Sequence, residues 1–229
     1  MTLPTQPSPR VAALLQKMRA NRGRLIFALD ATGSREPAWD LATKLQTLMF
    51  EEAAKIGGLD IQLIHYRGDD EIQSSAWLSD TYELVRLMRT IRCLTGATQI
   101  AQILEHIRFE HAREKVDAAV FIGDAVEELP QKLFDAAADL GVPMFMFQEG
   151  FGAVVYHDWR HQPAGGQPVE DVFREIARLT HGAYGKFDAG AARQLGKLLR
   201  AVAAFAAGGI AALTNQHTDS ARKLLGQLK

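Results

Sequence analysis

Apolar residues in this chain fall into short unbroken runs separated by stretches with helical spacing. Leu25-Ile-Phe-Ala-Leu29, Ala118-Ala-Val-Phe-Ile122 and Pro143-Met-Phe-Met-Phe147 have no polar position inside them. That is the pattern of strands buried on both faces. Leu59 to Tyr66 alternates well enough for a further strand, Ser74 to Leu78 predicts a short one, and Gly182 to Phe187 a weak one. Between them, Trp39 to Lys55 carries Leu41, Leu45, Leu48, Met49 and Glu52 on one helical stripe, closed by Gly57-Gly58. Helices are also predicted over Val11–Ala20, Asp80–Thr90 with Asp80 as N-cap, Ile100–Lys115, Gln131–Leu140 with Gly141 as C-cap, Val169–Leu179 and Ala191–Ala207. Cys93–Gln99 and Phe151–Pro168 read as loops.

Strands and helices thus alternate through nearly the whole chain. The expected fold class is α/β: a doubly wound, mostly parallel six-stranded sheet with helices on both faces and one antiparallel edge strand near Ser74–Leu78. Residues 1–10 hold three prolines and no apolar core, and read as a disordered lead. Residues 11–23 form a short helix, 24–208 the main domain, and 209–229 a C-terminal helical tail.

Composition narrows the function classes. The 229 residues are 47% hydrophobic and 23% charged, with a formal net charge of −1. That balance argues against a nucleic-acid binder or a peripheral membrane protein. The single cysteine, Cys93, allows neither an intramolecular disulfide nor a structural zinc site. No signal peptide is visible, and Ala201–Leu213 is too short and too rich in Ala and Gly to span a bilayer. The expectation is a soluble cytoplasmic protein.

The candidate chemistry sits in three polar clusters. Asp30-Ala-Thr32-Gly-Ser34 follows the first buried strand, Gly96-Ala-Thr98 precedes a helix, and Gly123-Asp124 follows another buried strand. In a doubly wound sheet all three lie at the C-terminal edge, where ligands bind. Every candidate side chain offers oxygen, the donor that hard divalent cations require.

Asp-x-Thr-x-Ser, then Gly-x-Thr, then an apolar strand ending in Asp resembles the metal-ion-dependent adhesion site of von Willebrand factor A domains, and the likeness spans about Arg24 to Phe187. Thr32 stands where the family usually has serine; it keeps the hydroxyl and adds a methyl. The resemblance implies a Mg²⁺ site, with Mn²⁺ or Ca²⁺ as alternatives. Thr32 and Ser34 bind the cation directly, Thr98 does so in the ligand-competent state, and Asp30 and Asp124 act largely through water. The sixth position is left to a Glu or Asp carboxylate of a partner protein, making the domain a non-enzymatic adaptor. It also implies work beside ATPases or chaperones, and movement of the last helix, Ala191–Ala207, on ligand binding. That helix is rich in alanine, which suits either sliding or close rigid packing.

Other readings compete. Asp30 and Ser34 are also suited to capping a helix that begins near Pro37, and Thr98 to capping the helix after it, with Thr95 as the alternative hydroxyl. A Mg²⁺-dependent phosphate-ester hydrolase is the enzyme alternative, with Asp30 as nucleophile, but Thr32 occupies the place of a second carboxylate. His106 and His111 are five apart and do not share a helical face. His157 and His161 lie in a Pro- and Gly-flanked loop, Cys93 lacks an activating partner, Gly208-Gly209 reads as a helix terminator, and no phosphate-binding glycine motif is present.

Overall fold

The computed structural model describes residues 22–32, 49, 52, 58–68, 71–150, 168–187 and 192–228. The strands are β1 (Gly23–Asp30), β2 (Leu59–Arg67), β3 (Glu71–Ser74), β4 (Ala118–Gly123), β5 (Met144–Glu149) and β6 (Ala183–Phe187). The described helices are α1 (Thr81–Met88), α2 (Ile100–Arg113), α3 (Pro130–Ala138), α4 (Val169–Leu179), α5 (Ala192–Thr214) and α6 (Asp219–Leu225). The sheet order is β3-β2-β1-β4-β5-β6. β2, β1, β4, β5 and β6 run parallel, and β3 pairs antiparallel with β2. The α/β class, the six strands and the antiparallel edge match the expectation.

Strand periodicity divides the core in two. Leu25, Phe27 and Leu29 of β1 pack with Val120 and Phe145 beneath α1, α5 and α6. Ile26 and Ala28 pack with Phe121 and Met146 beneath α2, α3 and α4. Both faces are covered, as continuous apolar strands demand. Asp80 caps α1 as expected, its Oδ1 accepting from the Tyr82 N–H at 2.7 Å.

One expectation needs correction. The edge strand is Glu71–Ser74, not Ser74–Leu78; the later segment contributes only a bridge between Leu78 and Ile61. The Ala-rich helix meets its expected terminator. It breaks at Gly208 and Gly209, where Gly209 takes φ +66°, and helix resumes to Thr214. Arg193–Thr214 is long and apolar enough to cross a membrane by length and composition alone, with the Gly208–Gly209 break inside it. Half of its most apolar 18 residues are buried within the domain. The residues after Gly209 join the same core through Leu213, Ala221 and Leu224.

The predicted helices over Val11–Ala20 and Trp39–Lys55 lie largely outside the described residues, as does the predicted loop Phe151–Pro168. Met49 and Glu52 are helical, and Met49 is buried against the β1 face.

β6 is the last strand of the sheet among the described residues. The Gln227 side chain lies against it as a strand would, its Oε1 accepting from Tyr184 N at 2.9 Å and its Nε2 donating to Tyr184 O at 3.0 Å. Gln194 Nε2 donates to Lys186 O at 2.8 Å on the same strand.

Candidate metal centre

Strand order reverses between β1 and β4: the chain proceeds from β1 to β2 on one side and from β4 to β5 on the other. A crevice opens beyond the C-terminal ends of such a strand pair. Asp30 ends β1 and Asp124 follows β4 there, with Leu29 opposite Ile122 in register. Gly123 lies beside Asp30, since a Cβ built on it would stand 3.8 Å from the Asp30 Cβ and 2.7 Å from the Phe121 ring.

The turn after β1 is fixed by its own polar groups. Asp30 Oδ1 accepts from the Thr32 N–H at 2.8 Å, the local side-chain-to-backbone bond that favours Asp at such a turn. Ala31 N donates to Tyr66 O at 2.9 Å, and Ala31 O accepts from Leu94 N at 3.0 Å. The second bond ties the Gly-x-Thr loop to the first cluster. Gly96 is needed for this approach, because a Cβ there would lie 1.9 Å from the Gly68 carbonyl oxygen. Gln99 Nε2 also donates to that oxygen, at 3.2 Å. Asp30, Thr32 and Thr98 are only 3%, 7% and 6% exposed, while Asp124 is half-buried.

The third loop is bound to the second through residues that sequence reasoning missed. Glu127 Oε2 accepts from Thr98 N at 2.7 Å, and Glu127 N donates to Thr98 Oγ1 at 2.8 Å. Glu128 accepts from Ile100 N at 2.5 Å and Ala101 N at 2.9 Å. Glu128 therefore caps α2, placing a carboxylate at the positive end of the helix dipole. Burial raises its pKa, and the two backbone N–H bonds pull the other way. Thr98 does not cap α2: Gln99 is at the N-cap and makes no side-chain capping bond. In sequence, Glu127 and Glu128 pass for first-turn acids before Pro130; only the fold carries them to a different helix.

Four of the five expected site residues thus lie on adjoining loops at one sheet edge; Ser34 lies outside the described residues. Among the described residues no three His, Cys, Asp or Glu side chains stand close enough together to hold a metal ion. A cation here would depend on hydroxyls, and the donor set fits one: it is all oxygen, and Thr98 Oγ1 keeps a second lone pair after accepting from Glu127. A cleft of about 1140 Å³ lies at the opposite, N-terminal edge, lined by Arg22, Arg24, Trp77, Asp117 and Gly208 among others. Its charged groups are engaged with one another. Arg24 lies 3.8 Å over the Trp77 ring and 3.0 Å from Glu114, and Lys115 lies 2.7 Å from Asp117.

No family model matches the sequence, and no curated protein matches it. Solved structures do. An aerotolerance-related membrane protein from Bacteroides fragilis is similar with a TM-score of 0.56 at 17% identity, over 77% of this chain and 96% of that one. A von Willebrand factor type A protein from Catenulispora acidiphila gives 0.60 at 15% identity, over 82% of this chain and 43% of that one. Proximal thread matrix protein 1 from the mussel byssus, with a zinc-occupied MIDAS motif, gives 0.56 at 15%, over 81% and 46%. At these identities the likeness is one of fold: the chain has a von Willebrand factor A-like fold.

Proposed function

We propose that the domain holds one divalent cation, Mg²⁺ in the first place and Mn²⁺ or Ca²⁺ as alternatives, and uses it to capture a Glu or Asp side chain of a protein partner. Thr32, Ser34 and Thr98 supply hydroxyl oxygens, with Asp30 and Asp124 behind them. The observation that carries this reading is the meeting of the Asp30–Thr32 turn, the Thr98 loop and Asp124 at the point where strand order reverses. Neutral hydroxyls cancel little of a cation's charge, so it stays electrophilic toward an incoming carboxylate. The mussel protein's zinc-occupied motif is a precedent on the same fold. An ATPase or chaperone system in the cytoplasm is the class of partner proposed.

Mn²⁺ binding followed by electron paramagnetic resonance tests the site, with a pulldown compared with and without chelator to test the partner. Wild type is expected to bind Mn²⁺, Asp30→Ala and Thr98→Ala to bind it much more weakly, and capture to vanish with chelator. Chelator-insensitive capture, or Mn²⁺ binding untouched by both substitutions, overturns the reading. Steady turnover of a phosphate ester in Mg²⁺ favours the hydrolase instead.

A further inference from the structure

Resting on that reading, we propose that Glu127 and Glu128 are positioning residues for the cation site: a two-residue clip that sets Thr98 at the sheet edge. The argument begins with what a hydroxyl ligand needs. Thr98 Oγ1 has two lone pairs and one proton. An unrestrained threonine on a loop turns among rotamers, and each rotamer aims the oxygen differently. Here the Glu127 N–H occupies one lone pair at 2.8 Å and fixes the rotamer, leaving the second available.

The same residue holds the Thr98 backbone. Its carboxylate accepts from Thr98 N at 2.7 Å, so residue 98 is gripped at both its amide and its hydroxyl by residue 127. Glu128 continues the grip to Ile100 and Ala101, which prevents the first turn of α2 from pulling the loop away. Two consecutive residues thus make four bonds across 27 to 29 positions of sequence. Both carboxylates accept from neutral backbone N–H groups at the edge where a cation is proposed. An Arg or Lys in the same place would hold a carboxylate equally well and oppose the cation.

Residues that orient metal ligands from behind change affinity by roughly 10- to 100-fold when removed. The test uses the full chain and Mn²⁺ alone as probe, with thermal melting alongside. Glu127→Ala is expected to weaken Mn²⁺ binding by about tenfold or more. Glu127→Gln, whose amide oxygen still accepts from Thr98 N, is expected to restore most of it. In the Thr98→Ala background, Glu127→Ala is expected to cost little further affinity, because the hydroxyl it positions is gone. Glu128→Ala is expected to lower both the melting temperature and the Mn²⁺ affinity. Hydrogen exchange at the Thr98, Ile100 and Ala101 amides, read without metal, is expected to speed up in the corresponding variants. If wild type binds Mn²⁺ and Glu127→Ala binds it as tightly, this inference fails and the proposed function stands. If the Glu127→Ala and Thr98→Ala losses add in full, the clip is structural only and the inference fails. A wild type that binds no Mn²⁺ overturns the proposed function and the inference with it.

Discussion

At the N-terminal edge of the sheet, Glu110 and Glu114 face Arg24, and Asp117 faces Lys115. At the C-terminal edge, Glu127 and Glu128 face backbone N–H groups of residues 98, 100 and 101. Both arrangements give carboxylates their partners. The first pairs acid with base; the second meets each carboxylate with peptide N–H dipoles. The difference teaches where this fold is built to last and where it is built to receive something. The ion-paired edge has its charges set against each other, whereas the other edge holds its carboxylates on peptide N–H groups beside the strand reversal.

At neutral pH the largest expected effect breaks the paired edge. Glu110 is 6% exposed, accepts from Trp77 Nε1 at 2.9 Å and lies 3.1 Å from Arg113, with the Arg24 guanidinium 4.0 Å away. Glu110→Ala leaves an indole N–H without its acceptor and a largely buried guanidinium with one carboxylate fewer. A loss of about 3 kcal/mol is expected by chemical denaturation, with Mn²⁺ affinity unchanged. A matching drop in affinity would mean that the two edges are coupled.

A titration in the middle of the sheet separates both edges from the core. His65 on β2 is 4% exposed, and its pKa is lowered to about 4, first by burial and then by the Arg67 charge. The unfolded chain takes up this proton near pH 6.5, and the folded chain refuses it until about pH 4. Stability from this group is therefore full above pH 6.5 and is lost as pH falls from 6.5 toward 4. At roughly 1.4 kcal/mol per pKa unit the loss approaches 3.5 kcal/mol. His65→Leu is expected to flatten that part of the stability profile relative to wild type.

Gly96→Ala tests the receiving edge without touching a charge. The new Cβ would meet the Gly68 carbonyl at 1.9 Å, which forces the loops apart. A loss of about 2 kcal/mol is expected, with a fall in Mn²⁺ affinity that Glu110→Ala does not show. Asp80→Ala, away from the receiving edge, is expected to cost about 1 kcal/mol from the lost N-cap and to leave Mn²⁺ binding alone.

The smallest expected effect concerns α5. A Cβ on Gly23 would lie 2.2 Å from the Ala206 carbonyl, so helix and strand backbones are in direct contact at the N-terminal edge. Such contact favours fixed packing over sliding. Exchange protection across Leu195–Phe205 is expected to stay the same when Mg²⁺ and an acidic peptide saturate the site. A change there would revive the moving helix.

What could be read from the sequence follows from where each residue's environment is encoded. β1, β4 and β5 are buried on both faces, so their runs of apolar residues announce them. β3 is four residues, Glu71-Ile-Gln-Ser74, held by pairing with β2, and leaves no apolar run to read. Asp30 and Asp124 stand directly after legible strands and were found for that reason. Glu127 and Glu128 were not, because their partners are backbone amides that only the folded loops bring near. The Gly208–Gly209 break was legible, and so was the helical tail beyond it, which the buried Leu213 draws back onto the core.

The glutamine at position 227 has a consequence for how the protein behaves in company. An open strand invites a neighbour's strand, and repetition of that invitation is the first step of fibrous aggregation. Gln227 answers both hydrogen-bonding groups of Tyr184 with one side-chain amide, and Gln194 answers Lys186 O. The tail thus serves as the sheet's final, counterfeit strand: it presents to the edge the groups a second molecule would bring, and offers nothing on which a third can build.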